Sequence, residues 1–101
     1  MLCGGTGQVK DATDEVQLLV DGVKDAVGQE LGAEVRELKA THFKTQVVAG
    51  TNFFVRVEDG EGKTLHLRIY RHFSGTVQLH AVKHAEATEE VAHFEGSLKG
   101  Q

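Results

Sequence analysis

The chain has 101 residues, 40% of them hydrophobic and 26% charged, which gives room for one domain around one core and too much apolar content for disorder throughout. Lys and Arg number 11 against 15 Asp and Glu, a formal charge of −4 with histidines neutral, and the absence of a basic stripe argues against a nucleic-acid partner. No run approaches the roughly 20 apolar residues of a membrane span, and the lone cysteine, Cys3, excludes an internal disulfide and any cysteine-rich zinc site.

Residues 1–12 read as a flexible leader, because Gly4, Gly5 and Gly7 sit among small and polar residues. Met1 to Gly7 has no basic start followed by an apolar run, so no secretory signal is expected. With a single free thiol, the simplest compartment is the reducing cytosol, although a secreted chain whose signal had been removed would look similar. A helix is expected over 13–31. Val16, Leu19, Val20, Val23, Val27 and Leu31 fall on one helical stripe. Thr13 suits the N-cap, Asp14 and Glu15 face the positive end of the dipole, and Gly32 suits the stop.

Beyond Gly32 the period drops to two, and antiparallel strands are expected over 38–83. Leu38 to Val48 sets Phe43, Thr45 and Val47 against His42, Lys44 and Gln46. Thr51 to Glu58 alternates Phe53, Val55 and Val57 with Phe54, Arg56 and Glu58. After the turn signal Asp59-Gly60-Glu61-Gly62, Lys63 to Phe73 alternates Leu65, Leu67 and Ile69 with His66, Arg68 and Tyr70. Ser74-Gly75 reads as a two-residue hairpin turn before a last strand from Val77 to Lys83. The tail, 84–101, is mostly Ala, Glu, Gly and polar residues. Its segment Glu89 to Phe94 reads as a turn of helix or as loose packing of Phe94. The fold class is α+β: one domain over 1–101, with the helix across one face of an antiparallel sheet of four to five strands.

The tip between the first two strands carries the functional signal. It reads Gln46-Val47-Val48-Ala49-Gly50, whereas exposed turns are ordinarily built from Gly, Asn, Asp and Ser. An apolar tip flanked by polar strand residues points to insertion into a partner's groove. The alternative is that the two valines straddle the pleat, one inward and one outward.

Q-V-V-A-G is the first-hairpin signature of the cystatin superfamily, and the likeness extends beyond it. The Met-Leu-Cys-Gly start, the helix, Phe43-Lys44-Thr45, Thr51-Asn52-Phe53-Phe54-Val55 and Leu65-His66-Leu67-Arg68-Ile69-Tyr70 resemble the stefin-type cystatins over roughly residues 1–80. That resemblance implies a sheet wrapped around the helix and a reversible, competitive inhibitor of papain-like cysteine proteases such as cathepsins, with no catalytic residues and no cofactor. It implies a wedge in three parts that fills the protease cleft. One part is the N-terminal trunk, with Gly4 at the family's glycine and Leu2 and Cys3 beside it. Another is the hairpin Gln46, Val47, Val48, Ala49 and Gly50, and the last is a second hairpin. Stefins commonly carry a Leu-Pro pair in a longer second hairpin; this chain has Phe73-Ser74-Gly75 and no proline. Phe73, with Ser74, either supplies that contact or ends its strand and packs on its neighbours.

Three rival readings accompany this one. Cys3 as a nucleophile with a histidine base would make the chain an enzyme, but a glycine-flanked cysteine in a leader has no shaped pocket to lower its pKa. His66, His72, His80 and His84 could be proposed as metal ligands, yet they lack the tight spacing of metal sites; solvent-facing histidines are the simpler reading, and no metal is expected. A cystatin-like binding module with weak or no inhibition is the third, supported by the altered second hairpin. A monomer is expected. A dimer swapped through a strained Val48 turn or linked through Cys3 stays open beside it. Protonating all six histidines moves the formal charge from −4 to +2, so the surface changes sign between neutral and acidic compartments.

Overall fold

The computed structural model describes residues 7–95. The helix, α1, spans Asp14–Leu31 and starts where the sequence supplies an acceptor. Thr13 is the N-cap, and its Oγ1 accepts from the Val16 amide at 3.2 Å. At the other end Gly32 takes the left-handed conformation, φ 71°, and its amide returns to the Gln29 carbonyl. Val16, Leu19, Val20, Val23 and Val27 form the buried stripe.

A two-residue strand, β1 (Lys10–Asp11), precedes the helix, and four strands follow it: β2 (Lys39–Val48), β3 (Gly50–Glu58), β4 (Thr64–Arg71) and β5 (Val77–Ala85). They form one antiparallel sheet in the order β1-β2-β3-β4-β5. The helix stripe packs with Phe43, Phe53, Val55, Val57, Leu65, Leu67, Ile69 and Leu79 into a single core. The α+β expectation and the five-stranded sheet agree with the cystatin fold. The leader expectation needs correcting in its last part: Lys10 pairs with Phe43 and Asp11 with His42, and the Ala12 amide donates to the Thr41 carbonyl. The β2 edge supplies unpaired backbone groups there, and their satisfaction overrides a weak local strand signal.

Two further corrections concern the outer face. The tail is not loose up to residue 95, because it lies across the face opposite the helix. Val91 and Phe54 are buried, with the Phe54 ring 5.2 Å from His93 and 6.0 Å from Phe94. Arg56 donates to the Ala87 carbonyl at 2.8 Å, Arg68 to the Phe94 carbonyl at 3.0 Å, and Lys83 to Glu89 at 3.1 Å. Arginines on an outward strand face thus act as donors that hold a covering segment. His66 lies beneath it, 1% exposed, rather than facing solvent.

Among the described residues no group of three or more His, Cys, Asp or Glu is placed to hold a metal. No helix there is long and apolar enough to cross a membrane.

Candidate functional site

The β2–β3 connection is as short as a hairpin allows. Val48 pairs with Gly50, leaving Ala49 alone at the tip. Gly50 makes this closure possible. Its φ is 114°, and a Cβ built there would stand 2.6 Å from Tyr70 Oη and 2.7 Å from the Arg71 carbonyl oxygen, so no side chain fits. Among the described residues no non-glycine residue has positive φ. Val48 therefore carries no left-handed backbone strain that a swapped dimer would relieve.

Val47 is 66% exposed and Val48 44%; neither packs inward. The reason lies where the core ends. Phe43 and Phe53 stack at 6.5 Å, the Arg71 guanidinium lies 4.9 Å from the Phe53 ring, and Arg71 pairs with Glu15 of α1 at 3.1 Å. The buried Phe53, opposite Thr45, is the last core residue of β3 on the helix side, and the Arg71–Glu15 pair caps it, so Val47, one row further on, is left uncovered. Ala49 is exposed as well. Gln46 is otherwise engaged: its Oε1 accepts from the buried Asn52 Nδ2 at 2.9 Å.

The second turn is longer than the two residues expected. His72 N donates to the Thr76 carbonyl at 2.8 Å, and Gly75 N to the His72 carbonyl at 2.8 Å. Phe73 and Ser74 are thus the centre of a tight turn, and Gly75, φ 102°, takes the left-handed position that closes a three-residue loop. Phe73 is 80% exposed and lies on the His72 ring at 4.0 Å, so it does not pack into the core. Ser74 is held by His72, whose Nδ1 lies 2.8 Å from its hydroxyl and accepts from its amide at 3.1 Å.

The register aligns these parts. Val47, Thr51, Arg71 and Val77 are successive partners across β2, β3, β4 and β5, and both turns lie beyond this row at one end of the sheet. Gly7 sits at that end too, donating to the Thr45 carbonyl at 2.9 Å. Leu2, Cys3 and Gly4 lie outside the described residues. His66, His72, His80 and His84 are spread along β4, the second turn and β5, and no three of them are gathered to hold a metal. Burial holds the His80 imidazole below its ordinary pKa, with the Arg68 charge adding to the effect.

Tyr70 is the residue that the sequence reading passed over. Its hydroxyl donates to the Ala49 carbonyl at the very tip. Alternation placed Tyr70 on the outer face, but nothing local in the sequence tied it to a turn some 20 residues away.

Comparison with known proteins gives a consistent family. The cystatin domain matches residues 4–92. Human cystatin-A is 39% identical over 75 residues, 74% of this chain and 76% of that protein. Cystatin-A2 of Dictyostelium discoideum is 39% identical over 92 residues, 90% of this chain and 96% of its own. Cystatin-B of Oplegnathus fasciatus is 30% identical over 98 residues, 93% and 98% respectively.

Proposed function

The chain belongs to the cystatin family, whose members are protease inhibitors rather than enzymes, and from that premise we propose that it is a reversible, competitive inhibitor of papain-like cysteine proteases, cathepsins included. It binds by seating the β2–β3 tip, the Phe73 turn and the trunk around Gly4 in the active-site cleft. The observation that carries this reading is the exposure of Val47, Val48 and Phe73 together at one end of the sheet, clear of the core.

The dimensions suit a substrate cleft. Two strand spacings separate the centres of the two turns, about 10 Å, the reach of roughly three extended residues. Fully burying a valine contributes about 1.5–3 kcal/mol; with Val47 66% and Val48 44% exposed, covering what remains of the pair supplies about 2–3 kcal/mol of the binding. A standard protease–inhibitor interface buries about 800 Å² per partner, which two turns and a trunk can reach.

Inhibition without cleavage follows from geometry. Peptide hydrolysis needs a carbonyl carbon about 3–3.5 Å from the thiolate along the attack direction. At the tip the Ala49 carbonyl is occupied by the Tyr70 hydroxyl, which holds it toward the inhibitor's own sheet. The wedge covers the catalytic pair without offering a carbonyl in that place. The protein acts as a monomer in the cytosol in this reading.

Titration against papain with a peptide substrate tests the proposal. Competitive, reversible, near-stoichiometric inhibition is expected for the native chain. Val48→Asp, which places a charge in a desolvated groove, should weaken it at least a hundredfold while the denaturation midpoint stays put. No inhibition by the native chain would favour the non-inhibitory binding module, and an unchanged inhibition constant for Val48→Asp would remove the hairpin from the interface.

A further inference from the structure

On the outer face, one row of side chains lies directly beneath the two turns: Gln46, Asn52, Tyr70 and Gln78 are successive cross-strand partners. Tyr70 stands in the middle of the row and makes contacts in two directions. Its hydroxyl reaches the Ala49 carbonyl at the first tip. Gly50, whose backbone lies against the ring, leaves room for it, since a Cβ there would stand 2.8 Å from Tyr70 Cε1. Away from the second turn, the Tyr70 ring stacks on His80 of β5 at 5.2 Å with 21° between the planes; toward that turn it meets the His72 ring in T-shaped geometry at 6.3 Å. His72 in turn carries Phe73 at 4.0 Å. The rings thus form a column, His80–Tyr70–His72–Phe73, that ends on the exposed aromatic of the second turn.

The column depends on an irregularity in β5. Arg68 is opposite Ala81 and Ile69 opposite Leu79, so His80 is the extra residue of a bulge. A bulge re-aims the side chain it carries; here it lays the imidazole on Tyr70. An irregular ladder costs backbone pairing, and the ring contact is what the sheet gains at that point.

We infer that Tyr70 is the positioning residue of the binding edge, holding the first tip by its hydroxyl and the second turn by its ring, so that the two turns meet a protease as one preformed unit. This rests on the reading of that edge as protease-binding. A one-residue tip and a three-residue loop have few contacts of their own, and each would otherwise be ordered at the moment of binding. Ordering them beforehand lowers that cost and slows dissociation more than it speeds association.

Association and dissociation rates with papain test this for the native chain, Tyr70→Phe, Tyr70→Leu, Val48→Asp, Val48→Ala and Phe73→Ala, together with the double variants Tyr70→Phe/Val48→Ala, Tyr70→Phe/Phe73→Ala and Tyr70→Leu/Phe73→Ala. Tyr70→Phe removes the hydroxyl and keeps the ring. It should raise the dissociation rate roughly threefold to tenfold, the size of one lost hydrogen bond, with association within about twofold of native and a denaturation midpoint lowered by no more than that one bond accounts for. Because the hydroxyl acts through the first tip, its effect should shrink when Val48 is truncated and persist in full when Phe73 is. Tyr70→Leu should also abolish most of what Phe73 contributes. If Val48→Asp weakens binding but Tyr70→Phe dissociates like the native chain, or its effect adds fully to Val48→Ala, the positioning role is overturned and the edge stands. If Val48→Asp has no effect, the edge reading fails and this inference with it.

Discussion

Acid should loosen this fold through His66, and the effect can be isolated. The His66 side chain is 1% exposed, and its Nε2 has no hydrogen-bond partner among the described residues. Burial holds its imidazole below the ordinary pKa; the Glu89 carboxylate opposes this, and the charges of Lys83 and Arg56 reinforce it. A folded-state pKa below the unfolded value near 6.5 means that the unfolded chain takes the proton first. Stability is therefore undiminished above about pH 6.5 and falls as the pH drops below it, until the buried ring itself titrates. The slope from one such group is at most about 1.4 kcal/mol per pH unit, or roughly 5–10 °C in melting temperature for a domain of this size. His66→Gln removes the titration. Whatever constant cost the substitution carries, the gap between native and variant should narrow from pH 7.5 to pH 5 in urea denaturation, because only the native chain loses the His66 contribution. His80, also held below its ordinary pKa by burial, is present in both proteins and cancels. Parallel stability curves over that range would refute the reasoning.

Gly50→Ala should destabilise the chain by roughly 1–3 kcal/mol and abolish papain inhibition, since its Cβ meets Tyr70 Oη and the Arg71 carbonyl. Adding Tyr70→Phe should not rescue it, because the backbone contact remains; urea denaturation with an inhibition assay checks both. Phe73→Ala, at a side chain 80% exposed, should leave the denaturation midpoint unchanged while weakening inhibition about tenfold, the size expected of a single aromatic anchor. Phe54→Ala should cost about 3–5 kcal/mol, because Phe54 is completely buried under the C-terminal segment. Hydrogen exchange should then show faster exchange at residues 87–95 than in the helix.

Much of the architecture was already legible in the order of residues. A 3.6-residue apolar stripe bounded by Thr13 and Gly32 can bury its valines only as a helix, and alternation over Phe53–Val57 and Leu65–Ile69 can bury its large residues only as strands. Those patterns are local, so they survive without knowledge of what lies opposite. The apolar tip at Val47 and Val48 was equally visible, because turn chemistry is local as well.

Tertiary structure decided what depends on register and on the second face of the sheet. Phe54 and His66 alternate outward, and His66 reads as solvent-facing, yet the tail covers both, held by Arg56, Arg68 and Lys83; no pattern in a polar tail announces a partner 30 residues earlier. Whether Val47 would be covered depended on where Arg71 and Glu15 close the core. Tyr70 reaches Ala49 only because β3 lies between their strands in one particular register. Periodicity specifies which face a side chain takes, but only the paired sheet specifies what that side chain meets there, because cross-strand neighbours are set by long-range pairing rather than by adjacency along the chain.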